Sequence, residues 1–142
     1  MELTFKWIAV AGRSYHMFLN RMLAPFGLNA SQYLFVIHAC RKPGIAQEEL
    51  PELIQINKSN VTRALAQLEQ NGLLRREKLS TDKRTAAVFP TQKALELYPV
   101  LMELVEAWDR AVTQDLTQEQ RLQLRDALQK VTERARKLSS ID

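Results

Sequence analysis

The strongest constraint on this chain is a change of period at Gly72. From Asn57 to Asn71 the apolar residues Val61, Ala64, Leu65 and Leu68 recur at the spacing of one helix face. Beyond Gly72 the pattern shortens to two extended runs, Leu73 to Leu79 and Arg84 to Phe89, joined by the polar turn Ser80, Thr81, Asp82, Lys83. Asn57 is a good N-cap, and Asn71 with Gly72 is a helix stop. The segment therefore reads as a capped helix followed at once by a β-hairpin.

The flanking sequence reads as helix throughout. Ile8, Ala11, Tyr15, Phe18, Leu19, Met22 and Leu23 mark a long first helix over Leu3 to Leu23, stopped by Pro25 and Gly27. Asn29, with Gln32 three residues on, resembles a capping box for a second helix, whose core face is expected to be Tyr33, Val36, Ile37 and Cys40. Pro43 and Gly44 turn the chain. Gln47 to Ile54 is short and acidic at its start, and Pro51 lies beyond the first turn of a helix begun at Gln47, so a short, bent or late-starting helix is expected. Pro90 and Thr91 open a long helix with the stripe Leu97, Leu101, Leu104, Val105, Trp108 and Val112, running to about Gln114. Thr117 with Gln120 forms a capping box for the last helix. There Leu124, Leu128, Val131, Ala135 and Leu138 recur in steps of four and three, a heptad seam that calls for a partner helix.

Charge is concentrated in the segment that changes period. The chain carries a formal net charge of +4 over 142 residues, which alone is mild. Between Asn57 and Arg84, however, stand seven basic residues (Lys58, Arg63, Arg75, Arg76, Lys78, Lys83, Arg84) against three acidic ones (Glu69, Glu77, Asp82), so this segment holds the whole excess. At ~100° per residue, Val61, Leu65 and Leu68 fall on one side of the helix, and Ser59, Thr62, Arg63 and Ala66 on the other. A small polar face of this kind can approach the major groove closely. Arg63 suits guanine or phosphate, Ser59, Asn60 and Thr62 suit base edges or backbone, and Lys58 sits at the flank near phosphates.

A short helix, a tight turn at Gln55 and Ile56, and a capped helix with a polar outer face make a helix-turn-helix. The basic hairpin beside it, with Arg75, Arg76, Lys78, Lys83 and Arg84, can reach phosphates or the neighbouring minor groove. Either half alone has a plain explanation: solvent-facing helices are polar, and charges protect exposed strand edges. The two together, in register, point to double-stranded DNA. The expected fold is mainly α with a small β-hairpin wing, a winged helix-turn-helix of about six helices in a single domain. Residues 28–90 would form the DNA-binding lobe, and residues 1–24 and 91–142 the helices through which two copies pair.

Other function classes lack their residues. No nucleophile with its base, carboxylate pair or cofactor loop can be assembled, so neither an enzyme nor a cofactor is expected. His16, His38 and the lone Cys40 supply neither a metal cluster nor a triad. Cys40 can form no intramolecular disulfide, and it reads as a small buried hydrophobe of a reducing compartment. No signal core and no apolar run near the ~20 residues of a membrane span occur, so a soluble, cytoplasmic chain is expected. Trp7, Phe18 and Trp108 read as core or dimer contacts.

The stretch Ile56 to Leu74 (INKSNVTRALAQLEQNGLL), followed by Arg75 to Thr91 (RREKLSTDKRTAAVFPT) and Lys93, resembles the recognition helix, wing and following helix start of the multiple antibiotic resistance regulator (MarR) family. The resemblance extends over roughly Gly27 to Leu97. It implies a two-fold homodimer built from the terminal helices, each protomer reading one half-site of a pseudo-palindrome about one helical turn from the other. It also implies a repressor released by a small aromatic or phenolic ligand, bound in a groove near His16 and His38. Lys58, Ser59, Asn60, Thr62 and Arg63 match the family's recognition helix. Arg84 matches the wing residue that enters the minor groove, and Asp82 the acid that orients the wing's basic side chains. Three positions depart from the pattern: Ala46 stands where Ser or Thr usually caps, Pro51 interrupts the third helix, and Ala94 replaces a glycine that often follows the lysine. The rival reading is a protein-interaction module on the same fold, which would lack salt-dependent DNA binding.

Overall fold

The computed structural model describes residues 2–78 and 86–139. Among these, the helices are α1 (Thr4–Leu23), α2 (Tyr33–Arg41), α3 (Leu50–Ile54), α4 (Lys58–Gln70), α5 (Gln92–Val112) and α6 (Gln118–Ser139). The strands are β1 (Ile45–Ala46), β2 (Leu74–Lys78) and β3 (Ala86–Pro90), with short 3₁₀ turns at Ala24–Phe26 and Gln47–Glu49. All pairings in the sheet are antiparallel, and its order is β1-β3-β2. The wing thus has a third strand beyond the expected hairpin. Gly44 turns the chain into β1 at φ 86°, and its amide donates to the Val88 carbonyl at 2.8 Å.

The chain divides into two compact units, Met1–Leu104 and Val105–Asp142. The first holds the core. Leu19, Leu23, Phe35, Val36, Leu50, Val61, Leu65, Leu68, Leu73, Val88 and Leu101 are each no more than 2% exposed. Burying side chains of this size is worth about 1.5–3 kcal/mol apiece, and here they come from every helix of this unit and from the sheet. In the second unit the expected capping box of α6 is formed: Thr117 Oγ1 accepts from the Gln120 amide at 3.1 Å, and Gln120 Oε1 from the Thr117 amide at 2.9 Å. The α6 seam residues Leu124, Leu128, Val131 and Leu138 stand 38–71% exposed in the single chain.

Two local expectations need correction. Asn29 does not cap α2: its side chain accepts from the Ser31 amide at 2.8 Å in a local turn, and the helix starts later, at Tyr33. Only the return half of the box exists, with Gln32 Oε1 accepting from the Asn29 amide at 3.3 Å. Cys40 also lies at the edge of the α2 core face, half-buried, while Phe35 and Ala39 are buried in addition to Tyr33, Val36 and Ile37. A helix buried nearly all round has no single stripe for the sequence to display.

At Pro51 the late start is realised. The chain takes a 3₁₀ turn at Gln47–Glu49 and α3 begins at Leu50, which puts Pro51 in the first turn, where no amide donor is required. Ala46 offers no capping oxygen, and Glu49 reaches back instead to accept from the Ala46 amide at 3.1 Å.

Candidate nucleic-acid interface

The helix expected to read DNA is fixed at both ends. Between α3 and α4, Gln55 adopts the left-handed region at φ 66°, and the amides of Gln55 and Ile56 both donate to the Pro51 carbonyl, at 2.9 and 3.1 Å. Asn57 is extended, and its Oδ1 accepts from the Asn60 amide at 2.9 Å and from the Ser59 hydroxyl at 2.8 Å. At the far end the chain turns through Gly72 at φ 73°, and the Leu73 amide donates to the Leu68 carbonyl at 3.0 Å.

Between these ends α4 divides as its period requires. Val61, Leu65 and Leu68 are buried, while Lys58, Ser59, Asn60, Thr62, Arg63 and Ala66 are exposed. The Thr62 hydroxyl bonds back to the Lys58 carbonyl at 3.1 Å, and an Arg63 Nη1–H reaches Asn60 Oδ1 at 3.5 Å. Ser59 is partly committed to the cap. Beside Arg63 opens a cleft of about 460 Å³ whose lining includes His16, Ser31, Gln32, Asn60 and Gln67. Gln32 is 6% exposed, and its amide Nε2 donates to Gln67 Oε1 at 2.9 Å, tying α2 to the outer side of α4. Gln32, expected only to cap, thus makes a bond between helices whose one signal in the sequence is a glutamine next to the apolar run that begins at Tyr33.

In the wing, β2 and β3 pair Arg75 with Phe89, Arg76 with Val88 and Lys78 with Ala86. Successive strand residues face opposite sides, so the adjacent arginines separate. The guanidinium of Arg75 lies 4.5 Å from the Phe89 ring centroid, within cation–π range, and it also pairs with Glu77. Arg76 shares a face with the buried Val88 and turns inward. Its Nε and Nη2 both meet Glu69 Oε1 of α4 at 2.5 Å, and Nη1 donates to Gln47 Oε1 at 3.3 Å. Lys78 is exposed. Neither Glu69 nor Gln47 was singled out from sequence, because partners across elements leave no periodic trace. Asp82, Lys83 and Arg84 lie outside the described residues.

The remaining candidates separate too. His16 lines the cleft beside Arg63, whereas His38 is half-buried on α2, where burial and then the charge of Arg41 push its imidazole pKa down. Burial pushes the Cys40 thiol up, and its Sγ–H points at the Ala94 carbonyl at 3.6 Å. The phenol of Tyr33 is raised by burial and by its 3.1 Å hydrogen bond with Tyr15. Among the described residues no helix is long and apolar enough to cross a membrane.

The MarR family model matches residues 28–86, from the approach to α2 to the first residue of β3. Over 92% of both chains, the protein is 30% identical to the HTH-type transcriptional regulator BilQ of Clostridium symbiosum. The chain belongs to the MarR family. A second relative, the uncharacterized HTH-type transcriptional regulator YybA of Bacillus subtilis, is 30% identical over 66% of this chain and 63% of its own length. A putative MarR family regulator from Listeria monocytogenes, solved in complex with a 26mer DNA, is 28% identical, superimposes with a TM-score of 0.89, and covers 96% of this chain and 91% of that one. The protein is therefore a MarR-family transcriptional regulator, with α3 and α4 as its helix-turn-helix and β1–β3 as its wing.

Proposed function

We propose that two copies of this chain bind an inverted-repeat DNA duplex and thereby repress transcription. In this reading each α4 enters the major groove with Arg63, Asn60, Thr62 and Ser59 toward base edges and Lys58 toward phosphate. Arg75 and Lys78 flank the backbone. Arg84 reaches the minor groove, Lys83 contacts DNA beside it from the wing, and Asp82 orients the wing's basic side chains. Arg76, expected at DNA from sequence, takes a supporting place because Glu69 and Gln47 already engage it. The observation that carries the reading is the outer face of α4, where Lys58 and Arg63 stand exposed on a capped helix and Arg63 meets the neutral Asn60.

Pairing of the two copies is supported by the apolar seam of α6 and by the exposed Leu3, Phe5, Trp7 and Met17 of the N-terminal region. The reading places the protein in the cytoplasm without a catalytic role. Release by a small aromatic or phenolic ligand belongs to it as well, and the cleft beside Arg63 is a place where such a ligand would compete with DNA directly.

Selection of sites from a random duplex pool, with affinity followed against salt, tests the reading. An inverted-repeat consensus with a steep salt dependence is expected. Arg84→Ala should weaken binding to all sequences, whereas Arg63→Ala should weaken it and relax base preference as well. No enrichment, with weak binding lost at physiological salt, would overturn DNA reading in favour of a protein-interaction module.

A further inference from the structure

We infer that Glu69 is a positioning residue that locks the wing to the recognition helix through Arg76, so that a duplex engages both as one body. The inference rests on the DNA reading proposed above. The joint between α4 and β2 is three residues long, Asn71 to Leu73, and turns on Gly72 at φ 73°. Across it the backbone is held by the Thr91 hydroxyl, which contacts the Gly72 carbonyl at 2.6 Å, and by the buried Leu73. These contacts fix the base of the hairpin. Farther out, the connection is Arg76. Its guanidinium joins Glu69 of α4 to Gln47 in the turn leading into α3, so one side chain ties the wing to the recognition helix and to the start of the helix-turn-helix. The side chains of Arg76 and Glu69 are 28% and 33% exposed, which shields the pair more than an ordinary surface bridge.

The sign of the effect separates this role from simple electrostatics. Replacing Glu69 by glutamine removes a negative charge beside the reading surface, and charge alone would then tighten binding to any duplex and steepen its salt dependence. If Glu69 acts by placing the wing, the specific site loses affinity instead, because base contacts by α4 and backbone contacts by the wing no longer reinforce each other. Random duplex, which demands no fixed placement, stays unchanged or gains slightly.

The experiment measures the affinity of the full dimeric protein for its selected site and for random duplex, with hydroxyl-radical footprints, for the parent, Glu69→Gln, Glu69→Asp and Arg76→Lys. Concentrations are corrected for folded fraction. Glu69→Gln is expected to lower the ratio of specific to random affinity about tenfold, with wing protections at the edges of the footprint fading while the central protections of α4 persist. Glu69→Asp should fall between it and the parent. Arg76→Lys, which keeps the charge but loses the planar fork, should resemble Glu69→Gln. An unchanged ratio and footprint in both Glu69→Gln and Arg76→Lys overturns the inference. So does a loss shared equally by specific and random DNA, which marks a general weakening of the duplex contact and not a placement of the wing. A parent protein with no preferred site overturns instead the reading on which this rests.

Discussion

Asn57 ends one helix approach and orders the next: a single carboxamide oxygen satisfies the Asn60 amide and holds the Ser59 hydroxyl on the surface expected to meet DNA. Removing it should therefore act twice. Asn57→Ala is expected to destabilise the fold by about 1 kcal/mol, the usual worth of an N-cap, with Asn57→Asp nearly neutral; denaturant midpoints of the three proteins check this. His38 makes stability depend on pH. Its folded pKa is lowered, first by burial and then by Arg41, so between that value and the unfolded one, about 6.5, the unfolded chain binds more protons. Stability should be full above about 6.5, decline as pH falls below it, and level off once the folded imidazole also protonates. His38→Gln should flatten this part of the profile, and a midpoint-versus-pH curve identical to the parent's would exclude the residue as its source. Cys40, with its thiol raised by burial and aimed at the Ala94 carbonyl, should alkylate more slowly at neutral pH than the same thiol in the denatured chain.

At the scale of elements, what could be foreseen was what repeats or caps locally. The stripe of α4, the cap at Asn57 and the capping box at Thr117 involve residues within four positions of each other, and they form as the sequence indicated. Pro51 likewise announced the late start of α3. Strand β1 gave no signal because two residues cannot show alternation; it exists because β3 offers an edge to Ile45 and Ala46. The split of Arg75 from Arg76 follows from the strand period of two, yet deciding which one turns inward required the register that sets Arg76 against Val88. The candidate site was thus legible along α4, and hidden where Glu69, Gln47 and Gln67 act across elements. Gly44 shows how such a tertiary demand can be tested. A Cβ there would meet the Phe89 ring at 3.3 Å in a backbone at φ 86°, and Phe89 in turn carries the guanidinium of Arg75. Gly44→Ala should cost about 1–2 kcal/mol from the left-handed backbone alone, read as a lower denaturant midpoint, whereas Arg75→Ala should leave that midpoint nearly unchanged.

At the scale of the whole molecule the unpaired surface decides what the functional unit is. Leu124, Leu128 and Val131 lie 38–42% exposed on α6 in a heptad seam, and a row of that kind on a 22-residue helix is stable in water only when another apolar surface covers it. If a second copy supplies that cover, one arginine at the centre of the seam must desolvate against its own symmetry mate. Leu128→Arg is accordingly expected to convert the protein from dimer to monomer in sedimentation or light scattering. Its first unit, whose core does not include α6, should keep its helical signal and its salt-dependent hold on random DNA. Affinity for an inverted repeat should fall by about 10²–10⁴, because the second half-site is then no longer delivered at the high effective concentration that linkage provides. Loss of dimerisation with no loss of operator affinity would mean that each recognition helix acts alone, and a variant that stays dimeric would move the interface away from α6 to the exposed apolar residues of α1.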